Sequence, residues 1–358
     1  MEKKYKILLY AFIGLIVLFG IAFFANNFAK HKIKEGIKKE LVNSNVDYED
    51  ITVDLIGGSS KITNPKLKLG SANISSQEIR VIDLDYKEYF STKKIVFDRI
   101  VFKKPRIHIT KSDTLNKTKN ENSKKEFEED IKIRHLVIQD GYLKISDNDT
   151  VKDGLYVSLK NMDIYNLHIT EESLKNKVPF NFSEVSINSD SLYYALDSEH
   201  DLHANKLKLK KSVLTISDLR ILPKYSKTEF DKRQKIEHDR FELSIPQIKM
   251  KDFAWGFNGD KLHLESAKTS IENAEFHIYR NKLLPDDNSI KPLYSRKLRE
   301  IGTKLKFDKI QIVNSSLSYE EKSVTGKPPG KVLFSDMDVT IQNVTNLNME
   351  SDNFPLTP

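Results

Sequence analysis

Leu136-Val137-Ile138-Gln139-Asp140-Gly141-Tyr142-Leu143-Lys144-Ile145 is the stretch on which the reading of this chain turns. Leu136 and Ile138 stand two apart, as do Leu143 and Ile145, and residues two apart in a strand share a face. Four residues separate the two pairs. A regular unbroken strand would therefore throw the second pair onto the opposite face. Gln139-Asp140-Gly141-Tyr142 has turn chemistry, so the spacing predicts a hairpin in which the chain reverses and the two pairs meet on one face.

The same unit recurs down the chain. It stands at Ile100/Phe102 with Ile107/Ile109, at Val185/Ile187 with Leu192/Tyr194, and at Leu207/Leu209 with Leu214/Ile216. Ile310/Ile312 with Leu317/Tyr319 and Val332/Phe334 with Val339/Ile341 complete the strict copies, and looser ones run from Ile62 to Leu67, Ile248 to Phe253 and Ile271 to Phe276. Ile187, Ile248 and Ile312 lie 61 and 64 residues apart, and Leu209 and Ile271 lie 62 apart. That spacing predicts a super-repeat of two hairpins.

Three segments interrupt the pattern. Residues 111–130 hold 11 charged residues among 20, with only Leu115 and Phe127 apolar, which predicts a disordered, solvated loop. Lys224 to Arg240 is charge-dense and reads as a short exposed helix, and a second short helix is expected over Tyr294 to Ile301.

The fold class is therefore mainly β, with fifteen or more strands and almost no amphipathic helix to lay on them. A sheet with one apolar face must bury it. Two architectures do so: an elongated, antiparallel, curled sheet whose apolar face lines a groove, or an array of β-sandwiches whose sheets cover each other. Periodicity does not choose between them. In either, Leu243, Ile245, Phe253, Trp255, Phe257, Leu262 and Leu264 face the interior, as core or as groove lining.

Upstream, the period changes. Residues 7–29 are an uncharged run that includes Ile7, Leu8, Leu15, Ile16, Val17, Leu18, Phe23 and Phe24. A helix of that length reaches across the ~30 Å hydrocarbon core, with every backbone group paired internally. The run is longer than the apolar region of a cleaved signal, and no small-x-small site follows before Lys30, which favours a retained anchor. Lysines flank it on both sides. The short tail, residues 1–6, suits an N-in orientation with the large part outside the cytoplasm. Residues 30–45 read as a juxtamembrane amphipathic helix, with Ile33, Ile37 and Leu41 on one side. Residues 46–358 then form the β domain.

Composition narrows function. The chain has 358 residues, 58 basic against 51 acidic, and a net charge of +7. The excess is spread out, and no nucleic-acid-binding signature is present. With no cysteine, thiol catalysis, disulfides and zinc ribbons are excluded. His200 and His203 flank Asp201-Leu202, but they fall in a turn leading into a strand and make a poor metal pair. No phosphate loop, nucleophile elbow, dinucleotide fingerprint or zinc-protease motif occurs. Gly57-Gly58-Ser59-Ser60 and Gly326-Lys327-Pro328-Pro329-Gly330 lead into no helix and read as turns. No catalytic, cofactor or metal site is assigned.

The layout resembles the AsmA-like proteins of the Bacteroidetes type. The similarity rests on the basic tail, the single anchor and the short basic helix, followed by Ile51-Thr52-Val53-Asp54-Leu55-Ile56-Gly57-Gly58-Ser59-Ser60-Lys61-Ile62-Thr63-Asn64-Pro65. Leu222-Pro223-Lys224-Tyr225-Ser226-Lys227-Thr228-Glu229-Phe230 and Leu317-Ser318-Tyr319-Glu320-Glu321 add to it. The resemblance implies a single-pass bacterial inner-membrane protein with its bulk in the periplasm. It implies a repeating β-groove like that of bridge-like lipid transfer proteins, and phospholipid as the partner, alongside other envelope proteins. The implied role is to handle phospholipid between the membranes and support outer-membrane biogenesis or integrity. Members of the family continue past the position of Asn353-Phe354-Pro355-Leu356-Thr357-Pro358, so a groove of this length is not expected to bridge two membranes alone. A membrane-anchored scaffold that tethers envelope partners is the alternative.

Overall fold

The computed structural model describes residues 46–347, apart from 55–57, 70, 86–87, 89–90, 93, 111–129, 147–153, 174–175, 177, 179 and 259–260. The anchor at 7–29, the helix at 30–45 and nearly all of the loop at 111–130 lie outside the described residues. Among the described residues no helix is long and apolar enough to cross a membrane. They form 20 strands and two short helices, so the chain is mainly β. Two compact units divide it, one ending at Ser189 and the other beginning at Asp190.

The first unit holds β1 (Val46–Asp47), β2 (Asp50–Asp54), β3 (Ser59–Thr63), β4 (Lys66–Leu69), β5 (Ala72–Ser75) and β6 (Glu78–Leu84). β7 (Ile95–Lys103), β8 (Arg106–Thr110), β9 (Ile131–Ser146) and β10 (Gly154–Ile169) follow. β11 (Glu184–Ala195) carries the chain across the unit boundary. The second unit holds β12 (His200–Lys210), β13 (Val213–Pro223), helix α1 (Lys227–Arg233), β14 (Asp239–Lys251), β15 (Ala254–Asn258) and β16 (Lys261–Ser266). Next come β17 (Lys268–Glu272), β18 (Glu275–Asn281), helix α2 (Tyr294–Glu300), β19 (Lys304–Lys322) and β20 (Gly330–Thr345).

Register joins the short strands into long lanes. Thr63 pairs with Glu78 and, past an interruption, Lys66 pairs with Ser75 in the same frame, so β3–β4 and β5–β6 are two kinked lanes. β1–β2 and β7–β8 are kinked lanes by the same test. In the second unit β14–β15 forms one lane and β16–β17–β18 another.

This overturns the hairpin reading of Leu136 to Ile145. β9 is one strand throughout, and Asp140 inside it has φ 52°. A single left-handed residue acts as a bulge: it resets the alternation, so apolar pairs five apart return to one face without a reversal. Lys104, Asn314 and Asp336 do the same in three further copies, with φ of 49°, 49° and 53°. Asn64, Asp252 and Asn273 do so in the looser ones. Val185 to Tyr194 lies in β11, again unreversed. Only Leu207 to Ile216 is a true hairpin, turning at Lys211-Ser212 with Leu209 opposite Leu214. Among the described residues, ten of the twelve left-handed non-glycine residues are Asn or Asp, the side chains that tolerate that conformation best.

The kinks stand in rows. In the second unit Asn205 faces Asp218, and Pro246 and Asn273 continue the row to Asn314. Asn205 donates to the Asp218 carboxylate, Asn314 Nδ2 donates to Asn273 Oδ1 at 2.6 Å, and the Asn314 amide donates to Asp338 at 2.9 Å. Pro246 sits at the kink, the position in a strand where the missing donor costs no ladder bond.

The sheets are also not purely antiparallel. β7 and β8 run parallel to β9, and β16, β17 and β18 run parallel to β19. A parallel step needs a long connection. Residues 111–130 and the stretch that carries α2 are the connections at these two steps. Both units thus have six lanes in one order: three antiparallel steps, a parallel step, and an antiparallel step. The repeat is a six-lane unit occurring twice rather than a 62-residue pair of hairpins. Within each unit the strands belong to one hydrogen-bonded sheet.

Candidate functional site

The two units treat the same apolar rows differently. In the first, Ile51, Ile62, Ile79 and Phe102 are successive register partners, all at most 4 % exposed. Val81, Ile100, Leu136 and Ile164 make a second row, also buried. Each such side chain contributes ~1.5–3 kcal/mol by burial, so this unit has a closed core.

In the second unit the rows are more open. Leu202, Ile221, Leu243, Phe276, Leu317 and Phe334 partner one another across six lanes. Leu207, Ile216, Ile248, Ile271, Ile312 and Val339 form the next row. Trp255, Leu264 and Leu305 form a shorter one, with Phe257 opposite Leu262 beyond it. Ile248 is buried, but Leu243, Ile271, Phe276, Ile312 and Leu317 are only partly buried, and Phe334 remains 53 % exposed.

Helix α1 does not cover these rows. Ser226 caps it through a reciprocal box with Glu229, and its one buried residue is Phe230. Lys227 pairs with Glu320, Lys322 reaches Asp231 at 3.5 Å, and the Tyr279 hydroxyl donates to Asp231 at 2.9 Å. Tyr279 alternates with Phe276 and Ile278 along β18, and Glu320 and Lys322 alternate with Leu317 and Tyr319 along β19. By period two, α1 rests on the opposite face of the sheet. Burial and the bond to Asp231 hold the Tyr279 phenol far above its ordinary range.

One end of the open face is polar. Arg280 donates twice to Asp239, both at 2.7 Å, and the Tyr319 hydroxyl donates to Glu321 at 2.9 Å. His200 stacks on Phe241 with centroids 3.9 Å apart, and its Nδ1 lies 3.1 Å from Asp197. That imidazole is 1 % exposed and serves the sheet, while His203 packs edge-on to Tyr193. Among the described residues no cluster of His, Asp and Glu has the arrangement of a metal site.

Of the seven residues singled out from sequence, five lie on the open rows: Leu243, Trp255, Phe257, Leu262 and Leu264. Ile245 is 6 % exposed and belongs to the core. Phe253 follows the left-handed Asp252 and pins the kink by donating its amide to Ser212 O at 2.8 Å. Sequence reasoning missed Ile221, Ile271, Phe276, Ile312, Leu317 and Phe334. All carry the same alternating signal, but periodicity does not encode which lanes are neighbours, and the pairs Phe276–Leu317 and Ile271–Ile312 meet only across the parallel step. The two glycine stretches fit turns: Gly58 has φ 60° and Gly326, between β19 and β20, has φ 77°.

Comparison with protein-family models and with curated proteins gave no match.

Proposed function

We propose that this protein is a membrane-anchored, non-catalytic phospholipid-handling protein of a bacterial envelope, and that the apolar face of its second unit forms a groove for acyl chains. One observation carries the reading: Leu243, Phe276, Leu317 and their row partners stay partly open, while helix α1 packs on the other face. A chain lying on these rows gains ~0.8 kcal/mol per buried CH₂. Headgroups stay in water, beside the polar end formed by Asp239, Arg280, Tyr319 and Glu321. The resemblance to AsmA-like proteins supports an inner-membrane anchor at residues 7–29 with the β units in the periplasm.

Native mass spectrometry and lipid extraction on the full chain, purified in maltoside detergent, test this. Co-purifying phospholipid that is lost in Leu243→Asp and Phe276→Asp, with the β signal in circular dichroism retained, is the expected result. Lipid content unchanged by both substitutions, or a folded wild-type chain free of lipid, would sink the proposal and leave a scaffold role ahead.

A further inference from the structure

The first unit bends its outer face into a polar cleft. Asp47, Lys66, Ser75 and Arg106 are register partners across four lanes. They alternate with Val46, Leu67, Ile74 and Ile107, which pack into the core, so they stand on the outside of the sheet. Two residues along each lane the kink row crosses. Asn64 and Lys104 there are both left-handed at φ 49°. The row is stitched by Glu49 N to Thr63 O, Asn64 N to Gln77 O and Gln77 N to Lys103 O, each 3.0 Å. Folding along this row leaves an open cleft of about 570 Å³ with Lys66, Lys104 and Arg106 in its lining.

The cleft's charges are unevenly matched. Glu49 is engaged by the Asn64 amide. Lys66, Lys104 and Arg106 make no ion pair among the described residues, and Arg106 lies only over the Tyr142 ring, 5.6 Å from its centroid. With Asp47 and Glu49 in the same lining the cleft keeps one positive charge in excess, and an anion with several oxygens can accept from Lys66, Lys104 and Arg106 together. Ser75 and Tyr48 add hydroxyl donors to the same lining. Asp47 is the carboxylate left to meet a positive group.

We propose that this cleft binds a phosphate ester, with Lys66, Lys104 and Arg106 on the phosphate oxygens and Asp47 on an ammonium group of the same molecule. The chemistry is that of a phosphoethanolamine group, carried by a lipid headgroup or by a soluble ester. β1 opens the described fold directly after the segment read as juxtamembrane, which places the cleft next to the chain's path from the membrane in sequence. The site is independent of the acyl-chain groove, which lies in the other unit.

Phosphorus-31 NMR titration of the full chain in phosphate-free maltoside detergent tests it. The probes are glycerophosphoethanolamine, glycerophosphoglycerol and inorganic phosphate. Saturable broadening is expected, with glycerophosphoethanolamine at least 5-fold tighter than the other two. Lys104→Gln and Arg106→Gln should weaken it 10-fold or more, and Asp47→Asn should erase the preference while keeping phosphate affinity. Inorganic phosphate binding as tightly as the ethanolamine ester would overturn the Asp47 pairing and the headgroup source. No saturable binding, or binding indifferent to Lys104→Gln and Arg106→Gln in folded variants, would overturn the site. Neither result depends on whether lipid co-purifies with the second unit.

Discussion

Asn314 shows what one residue contributes to this architecture. Its left-handed backbone keeps Ile310, Ile312, Leu317 and Tyr319 on one face of β19, and its amide group ties that kink to Asn273 in the neighbouring lane. A β-branched residue is a strained occupant of that conformation, and glycine is not. Asn314→Val is expected to cost ~2 kcal/mol and Asn314→Gly less than ~1 kcal/mol, read as shifts in the urea midpoint. The residue types at the kinks were legible in the sequence; their effect was not. Asn, Asp and Gly serve reversals and bulges alike, and both restore the face, so a gap of four residues satisfies either reading.

A second residue-level expectation concerns acid. Burial works against ionisation of Asp130, but hydrogen bonds and charge from His168 and Lys94 outweigh it and hold its carboxyl below the usual range. A carboxylate depressed in the folded state stabilises above its unfolded value, near pH 4, and that stability is lost as pH falls through the folded value. The wild-type chain should therefore lose more stability than Asp130→Asn between about pH 5 and pH 2 in denaturant titrations. Equal losses would remove Asp130 from the account.

At the scale of elements, α1 separates the two faces of the second unit's sheet. Its position was legible: Lys224 to Arg240 broke the strand pattern, and Ser226 with Glu229 is a capping box. Its buried anchor, Phe230 at 1 % exposure, was not, because one aromatic among charges carries no periodicity. Phe230→Ala is expected to destabilise the protein by ~3 kcal/mol and Ser226→Ala by ~1 kcal/mol. Because the helix packs opposite the open rows, neither should change the amount of co-purifying phospholipid in variants that stay folded. A fall in lipid content with Phe230→Ala would place α1 against the groove instead.

For the molecule as a whole, the mainly β class was legible from alternation alone, while the repeat was not. One of the spacings near 62 residues reflects a row of the sheet: Ile248 and Ile312, 64 apart, lie in one row two lanes apart, with Ile271 between them. The duplicated order of six lanes is a property of strand pairing and leaves no fixed period, since each parallel step tolerates a connection of arbitrary composition. The difference between the units is also collective. Val81, Ile100 and Leu136 read like Leu243, Phe276 and Leu317 in sequence, yet the first set is closed and the second open.

That openness is the central claim, and Trp255, the chain's single tryptophan, reports on it directly. It sits opposite Leu264 on the open rows. Quenching of its emission by phospholipid brominated along the acyl chains, supplied to the full chain in detergent, is the measurement to make. The account predicts saturable quenching that is abolished by Leu264→Asp, with headgroup-brominated lipid quenching far less. Emission that stays unquenched while phospholipid is demonstrably bound would place the acyl chains elsewhere and contradict the groove.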